Sequence, residues 1–164
     1  MSRLLDDTAS DAVYARHVRP ELFGGVRRAS APRLVIVGGQ PGCGKTGAVL
    51  QAAAELAAAG HGASIINGDE LRALHPNYRR LVEEYRSTAA DKTGADVGRW
   101  VEKGIREAAL SGFDAVIETT MRQPIVVAAP WRRSRRQGTY LNFGCLWCIQ
   151  KSAARRSTPG LSAR

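Results

Sequence analysis

The apolar positions of this chain fall into a few sharply bounded runs. Val35-Ile36-Val37, entered through Leu34 and left through Gly38-Gly39, is short, β-branched and continuously apolar, the pattern of a parallel strand buried on both faces. From Lys45 onward the period changes. Ala48, Val49, Ala52, Ala53, Leu56 and Ala59 recur at helical spacing and Gly60 supplies a stop, so a helix is predicted over 45–59. Ala63-Ser64-Ile65-Ile66 reads as a second strand, ending at Asn67-Gly68-Asp69. Residues 71–74 open a helix that Pro76 interrupts, and 78–86 resume it with Leu81, Val82 and Tyr85 on one side. Val97, Val101, Ile105 and Ala109 stand four apart, predicting a helix over 96–110 that Gly112 ends, and 113–118 form a third strand. Upstream, Val13, Tyr14, His17, Val18 and Leu22 lie along one irregular helical side despite Pro20, which reads as a packing helix with His17 as an ordinary surface or core histidine. Strands alternating with helices describe a parallel α/β sheet.

The chain has 164 residues, which suits one domain with a real core. No apolar run approaches the roughly 20 residues of a membrane span, and the N-terminal segment turns acidic at Asp6-Asp7 where a signal peptide needs its apolar stretch. Cys43, Cys145 and Cys148 are too few for a disulfide framework. A cytoplasmic protein is expected, with no membrane partner. The formal net charge of +9 raises the question of nucleic acid, and its distribution answers it. Residues 1–118 hold 15 Lys+Arg against 15 Asp+Glu, whereas residues 119–164 hold 9 and no acid. The excess belongs to the tail, so a solvated basic segment is expected rather than a specific nucleic-acid partner.

Chemistry is concentrated at three strand ends. Gly39-Gln40-Pro41-Gly42-Cys43-Gly44-Lys45-Thr46 is a full G-x-x-x-x-G-K-[ST] phosphate loop in its required context, after a strand and opening a helix. Its glycines let the backbone curl until successive N–H groups face phosphate oxygens, and the helix N-terminus adds its positive dipole end. Lys45 is expected to reach the β and γ phosphates of a bound nucleotide, and the Thr46 hydroxyl to ligate Mg²⁺. Cys43 is a small filler within the loop. No Asn-Lys-x-Asp segment specifies guanine. Asp69, just past the second strand, stands where a base can take the proton from an attacking hydroxyl, and it equally suits an N-cap of a helix starting at Glu70. Glu118 ends the third strand, where a carboxylate can orient substrate hydroxyls, and Arg122 offers a donor fork for phosphates.

The phosphate loop, Asn67-Gly68-Asp69 with His75-Pro76-Asn77-Tyr78, and Ile117-Glu118-Thr119-Thr120-Met121-Arg122 together resemble, in the same order, the motifs of the zeta toxins, the kinase halves of epsilon/zeta toxin–antitoxin systems. The likeness covers about two thirds of the chain, residues 18–123. It implies phosphoryl transfer from ATP, with Mg²⁺, to a hydroxyl of UDP-N-acetylglucosamine, and an antitoxin protein as partner. By the same resemblance Asp69 is the catalytic base, Lys45 the phosphate-binding lysine, and Glu118, Thr120 and Arg122 hold the sugar nucleotide.

Past residue 127 the family pattern is lost. Zeta toxins continue with further strands and helices and with arginines that clamp the transferring phosphate, and Arg132, Arg133, Arg135 and Arg136 match none of them. The expected fold is thus an α/β, P-loop NTPase-type parallel sheet flanked by helices and truncated on its C-terminal side. Its expected organisation is an incomplete zeta-toxin-like kinase domain over 1–128 and a basic, acid-free tail over 129–164, aberrant in sequence or disordered. Cys145-Leu146-Trp147-Cys148 has the C-x-x-C form but no second pair, which leaves zinc or disulfide exchange weakly supported. Two rivals remain open beside the kinase of UDP-N-acetylglucosamine: another P-loop phosphotransferase, and an inactive ATP-binding relic.

Overall fold

Strand residues of opposite parity face two different helical layers, and this two-sidedness organises the molecule. The structure is a computed structural model that describes residues 4–39, 44–119 and 140–145, the last as backbone. Strands β1 (Arg33–Gly38), β2 (Ser64–Asn67), β3 (Ala115–Thr119) and β4 (Tyr140–Cys145) form one parallel sheet in the order β2-β3-β1-β4. The parallel α/β architecture expected from the alternation of periods is the one observed. The fourth strand falls within 129–164, where no periodicity marks it. The rest of that segment, with Trp131, Arg132, Arg133, Arg135, Arg136 and Cys148, lies outside the described residues.

On one face Leu34, Ile36, Ile66, Ala115 and Ile117 are buried against the long helix α6 (Ala89–Ser111) and an N-terminal helical arm. On the other, Val37 and Val116 pack with Val49 and Leu56 of α3 (Lys45–Ala57), joined by partly buried Val35, Ile65, Ala48, Ala52 and Ala53. Each fully buried aliphatic side chain contributes roughly 1.5–3 kcal/mol, so the apolar runs read from the sequence are also the main source of cohesion. The arm runs from α1 (Asp7–Val13) through a π-helical stretch (Tyr14–Val18) into α2 (Arg19–Phe23). Its irregularity places Tyr14, Val18, Leu22 and Phe23 all in the core, while His17 is exposed, in keeping with an ordinary surface histidine. Helix α6 begins seven residues before the expected Asp96 because Ala89 and Thr93 extend the same four-residue spacing. Thr93 is fully buried, and its hydroxyl donates back to the Ala89 and Ala90 carbonyls.

Two buried polar devices fix the layers in place. Asp114, 1% exposed, precedes β3 and accepts from the Arg33 N–H through Oδ1 (2.7 Å) and from the Arg33 guanidinium through Oδ2 (3.2 Å). Its carbonyl accepts from the Ser64 N–H at 2.9 Å, so one residue clips together the starts of β1, β2 and β3. The second device joins the short helices α4 (Gly68–Arg72) and α5 (Tyr78–Tyr85) to α6. Between them His75 is buried against Asp96 (Nε2 to Oδ2, 3.4 Å) and accepts from the Asn77 N–H at Nδ1 (3.2 Å). Asp96 also accepts from the Leu4 N–H at 2.8 Å, and the Trp100 indole N–H donates to Ser10 Oγ at 3.0 Å. Pro76 separates α4 from α5, as the sequence reading expects. Among the described residues no helix is long and apolar enough to cross a membrane.

Asp114→Ala leaves the Arg33 N–H without its acceptor, and chemical denaturation should register a loss of about 2–4 kcal/mol, with Asp114→Asn losing less because it keeps an acceptor oxygen. A second outcome follows from His75. Burial holds its pKa below the ordinary 6.5, only partly opposed by Asp96, and the Nδ1 acceptor role leaves the ring neutral. The unfolded chain therefore binds the proton more readily than the native one, so this contribution is complete above pH 6.5 and lost as pH falls toward the lower native value. Thermal melts from pH 8 down to pH ~5 should show Tm falling below pH ~6.5, with a flatter slope in His75→Gln.

Candidate functional site

Parallel strands end together, and here the register makes three motif-bearing ends level. Gly38 pairs with Thr119, and Asn67 pairs with Glu118. Beyond β1 comes the phosphate loop, whose Gly44 adopts the left-handed conformation at φ 80°, ψ 22° and serves as N-cap of α3. A side chain is unfavourable there. Lys45, half-buried, and Thr46, exposed, occupy the first turn of α3. Gly39 is half-buried just past β1, while Gln40, Pro41, Gly42 and Cys43 lie outside the described residues.

The second segment leaves β2 at Asn67, which is still extended at φ −120°, ψ 114° while Gly68 already begins α4. The N-cap of that helix is Asn67, whose Oδ1 accepts from the Asp69 N–H at 2.9 Å. This corrects the capping alternative for Asp69: the residue sits inside the first turn and its carboxylate is not spent on a cap. Asp69 is 84% exposed and its Oδ1 accepts from Arg72 Nη1, an i,i+3 pair on the same helix. Such a pair contributes only about 0.2–0.5 kcal/mol, so it orients the carboxylate without committing it.

Glu118 is the last but one residue of β3, and its Oε2 accepts from Asn67 Nδ2 at 3.0 Å. By strand parity Asn67 and Glu118 share the face of Ile65 and Val116, the side covered by α3. The phosphate-loop helix and the Asn67–Glu118 pair therefore belong to one face and one edge of the sheet, with Asp69 a turn away. Thr120 and Arg122 lie outside the described residues. Cys145 closes β4, and its C-x-x-C partner Cys148 is likewise outside them.

Sequence reasoning singled out Lys45, Thr46, Asp69 and Glu118 but passed over Asn67 and Arg72. An Asn at a strand end before Gly-Asp-Glu is an N-cap signal, and weighing it would have relieved Asp69 of that role. His75, prominent in the motif comparison, is buried in the α4–α6 junction as a neutral hydrogen-bonded ring.

A family model described as Zeta toxin matches residues 21–156, so the match continues beyond residue 127, where the motif reading loses the family's pattern. The chain belongs to the zeta toxin family. Toxin PezT of Streptococcus pneumoniae serotype 4 is 31% identical over 116 residues, covering 71% of this chain and 44% of that protein. Toxin zeta of Streptococcus pyogenes is 31% identical over 102 residues, covering 62% of this chain and 34% of its own length. This chain thus spans less than half the length of these curated relatives. A solved structure from the study of the PezAT chromosomal toxin–antitoxin system of Streptococcus pneumoniae superimposes with a TM-score of 0.71 at 26% identity, over 86% of this chain and 57% of that one. The resemblance drawn from the three motifs and the parallel fold built around them hold together.

Gly44→Ala forces a side chain into the left-handed region, at a cost of roughly 1–2 kcal/mol. Urea denaturation should report a loss of that size, with the far-UV dichroism of the folded protein unchanged.

Proposed function

We propose that this zeta toxin family chain is a kinase domain that moves the γ-phosphoryl group of ATP to a hydroxyl of UDP-N-acetylglucosamine. The observation that carries the reading is the level alignment of strand ends. Gly38 opens into the phosphate loop at the edge where Asn67, Asp69 and Glu118 leave the neighbouring strands. The left-handed Gly44 at the head of α3 fits an anion cradle, and a threonine on the first turn fits a Mg²⁺ ligand.

In this scheme the backbone of Gly39, Gln40, Pro41, Gly42, Cys43 and Gly44 wraps the phosphates. Lys45 neutralises charge that develops on the β and γ phosphates during transfer. Thr46 would hold Mg²⁺, which would supply further charge neutralisation for the transfer. The exposed Asp69 carboxylate accepts the proton of the attacking hydroxyl. Glu118 orients the hydroxyls of the sugar nucleotide, with Thr120 and Arg122 following it directly in the chain and completing the grip. The likeness to the PezAT structure supports a protein antitoxin as partner, and the balanced charge of residues 1–118 speaks against a polyanion.

ATP consumption measured with and without UDP-N-acetylglucosamine tests the reading directly. Acceptor-dependent turnover is expected in the wild type. Lys45→Ala should abolish it, and Asp69→Asn should keep ATP affinity within about twofold while losing 10²–10⁴-fold in turnover. ATP binding with no acceptor-dependent turnover would sink the substrate assignment, and undiminished turnover in Asp69→Asn would sink the base.

A further inference from the structure

We propose that Asn67 is the positioning residue of this site, one side-chain amide that ties Glu118 to the Asp69 turn; the inference rests on the roles assigned to those two carboxylates above. The amide is used at both ends. Nδ2 donates to Glu118 Oε2 at 3.0 Å, and Oδ1 accepts from the Asp69 N–H at 2.9 Å. Its orientation is fixed by chemistry, since a flipped amide would set Oδ1 against a carboxylate oxygen and the NH₂ against an N–H.

The side chain at this position has requirements that capping alone does not impose. Ser, Asp and Asn all cap helices well. Ser is too short to reach across to the next strand as well, and an ionised Asp has no proton to give Glu118. Asn alone among the three supplies an acceptor for the turn and a donor for the neighbouring strand. The backbone favours the same solution: residue 67 is the last of β2, directly opposite Glu118 in the parallel ladder, and the chain turns into α4 at the next residue. A half-buried, charge-assisted hydrogen bond restricts the last torsion of Glu118. An acceptor sugar oriented by Glu118 is thereby held in a fixed relation to the turn that carries Asp69. Misplacement of about 1 Å at a reacting centre can cost 10²-fold in rate, so such a tie has a measurable consequence.

The test uses the full chain carrying Asn67→Asp, Asn67→Ser, or Asn67→Asp together with Glu118→Gln. Asn67→Asp preserves size and cap but sets two carboxylates within hydrogen-bond distance, where they share a proton. At pH 7 it should lower Tm, and adding Glu118→Gln should restore Tm by returning a donor to the pair. With ATP and UDP-N-acetylglucosamine, Asn67→Asp should lose 10–100-fold in kcat/KM for the acceptor while KM for ATP stays within about twofold, and the acid limb of its pH profile should move to higher pH. Asn67→Ser, which keeps an acceptor for the turn, should lose acceptor kcat/KM without moving that limb. Unchanged acceptor kinetics and an unmoved acid limb in Asn67→Asp would overturn the proposal and leave Asn67 a helix cap. If the wild type fails to use UDP-N-acetylglucosamine, the substrate reading falls by itself, and the melting comparison then decides the tie: no recovery on adding Glu118→Gln rejects it.

Discussion

The proposed site of this chain depends on the register of three parallel strands, and a single buried carboxyl residue sets much of it. Asp114 stands at the start of β3, takes the first N–H of β1 on its side chain and the first N–H of β2 on its carbonyl. Side chains alternate across a strand, so a slip of one residue would turn Ile36, Ile66 and Ile117 away from α6 and bring the wrong residues to the opposite edge. With the starts pinned, strands of similar length must also finish level. That is why Gly38, Asn67, Glu118 and Thr119 come to one edge although the first and last are 81 residues apart in the chain. A clip at one end of the sheet is in this sense a positioning device for the proposed site at the other.

The two faces divide the work. The α6 face carries the larger core and is reinforced by buried polar contacts: His75 with Asp96, and Trp100 with Ser10. Leaving a buried polar group without a partner costs about 1–3 kcal/mol, so these contacts tolerate few alternatives and hold the helical layer rigidly. The α3 face has the smaller cluster, built from alanines and valines with Leu56 and Ile65, and α3 directly follows the phosphate-loop sequence. Small residues let α3 lie close to the sheet, which brings its N-terminal turn near the ends of β1 and β3.

Much of this was legible in the sequence because the signals are local. Continuous β-branched runs announced β1 and β2, four-residue spacing announced most of α6, and the phosphate loop carried its context with it. What escaped is non-local. The first turns of α6 continue the four-residue spacing through Ala89 and a polar Thr93, whose burial follows from its hydroxyl bonding the Ala89 and Ala90 carbonyls and is not announced by an apolar pattern. Strand β4 lies in a stretch with no usable period and is recognised only by its pairing with β1. The dual use of Asn67 required knowing that Glu118 stands opposite it across 51 residues of sequence. Asp69 could be named from its place after a strand, but its freedom from capping followed only once Asn67 was seen to hold the helix start.

Charge also takes on a narrower meaning. In the balanced part of the chain several ion pairs are spent on fastening the N-terminal arm to α6: Asp7 with Arg99, Asp11 with Lys103, and Arg19 with Glu107, which also accepts a hydrogen bond from the Tyr14 hydroxyl. Exposed pairs of this kind contribute little each, and they cancel one another's long-range field. A nucleotide reaching the sheet edge would therefore meet no broad positive surface from these groups. Its recognition would rest on directed donors at short range, the N–H groups past Gly44 and the ammonium of Lys45, which is the arrangement that discriminates a phosphate group from a generic anion by geometry.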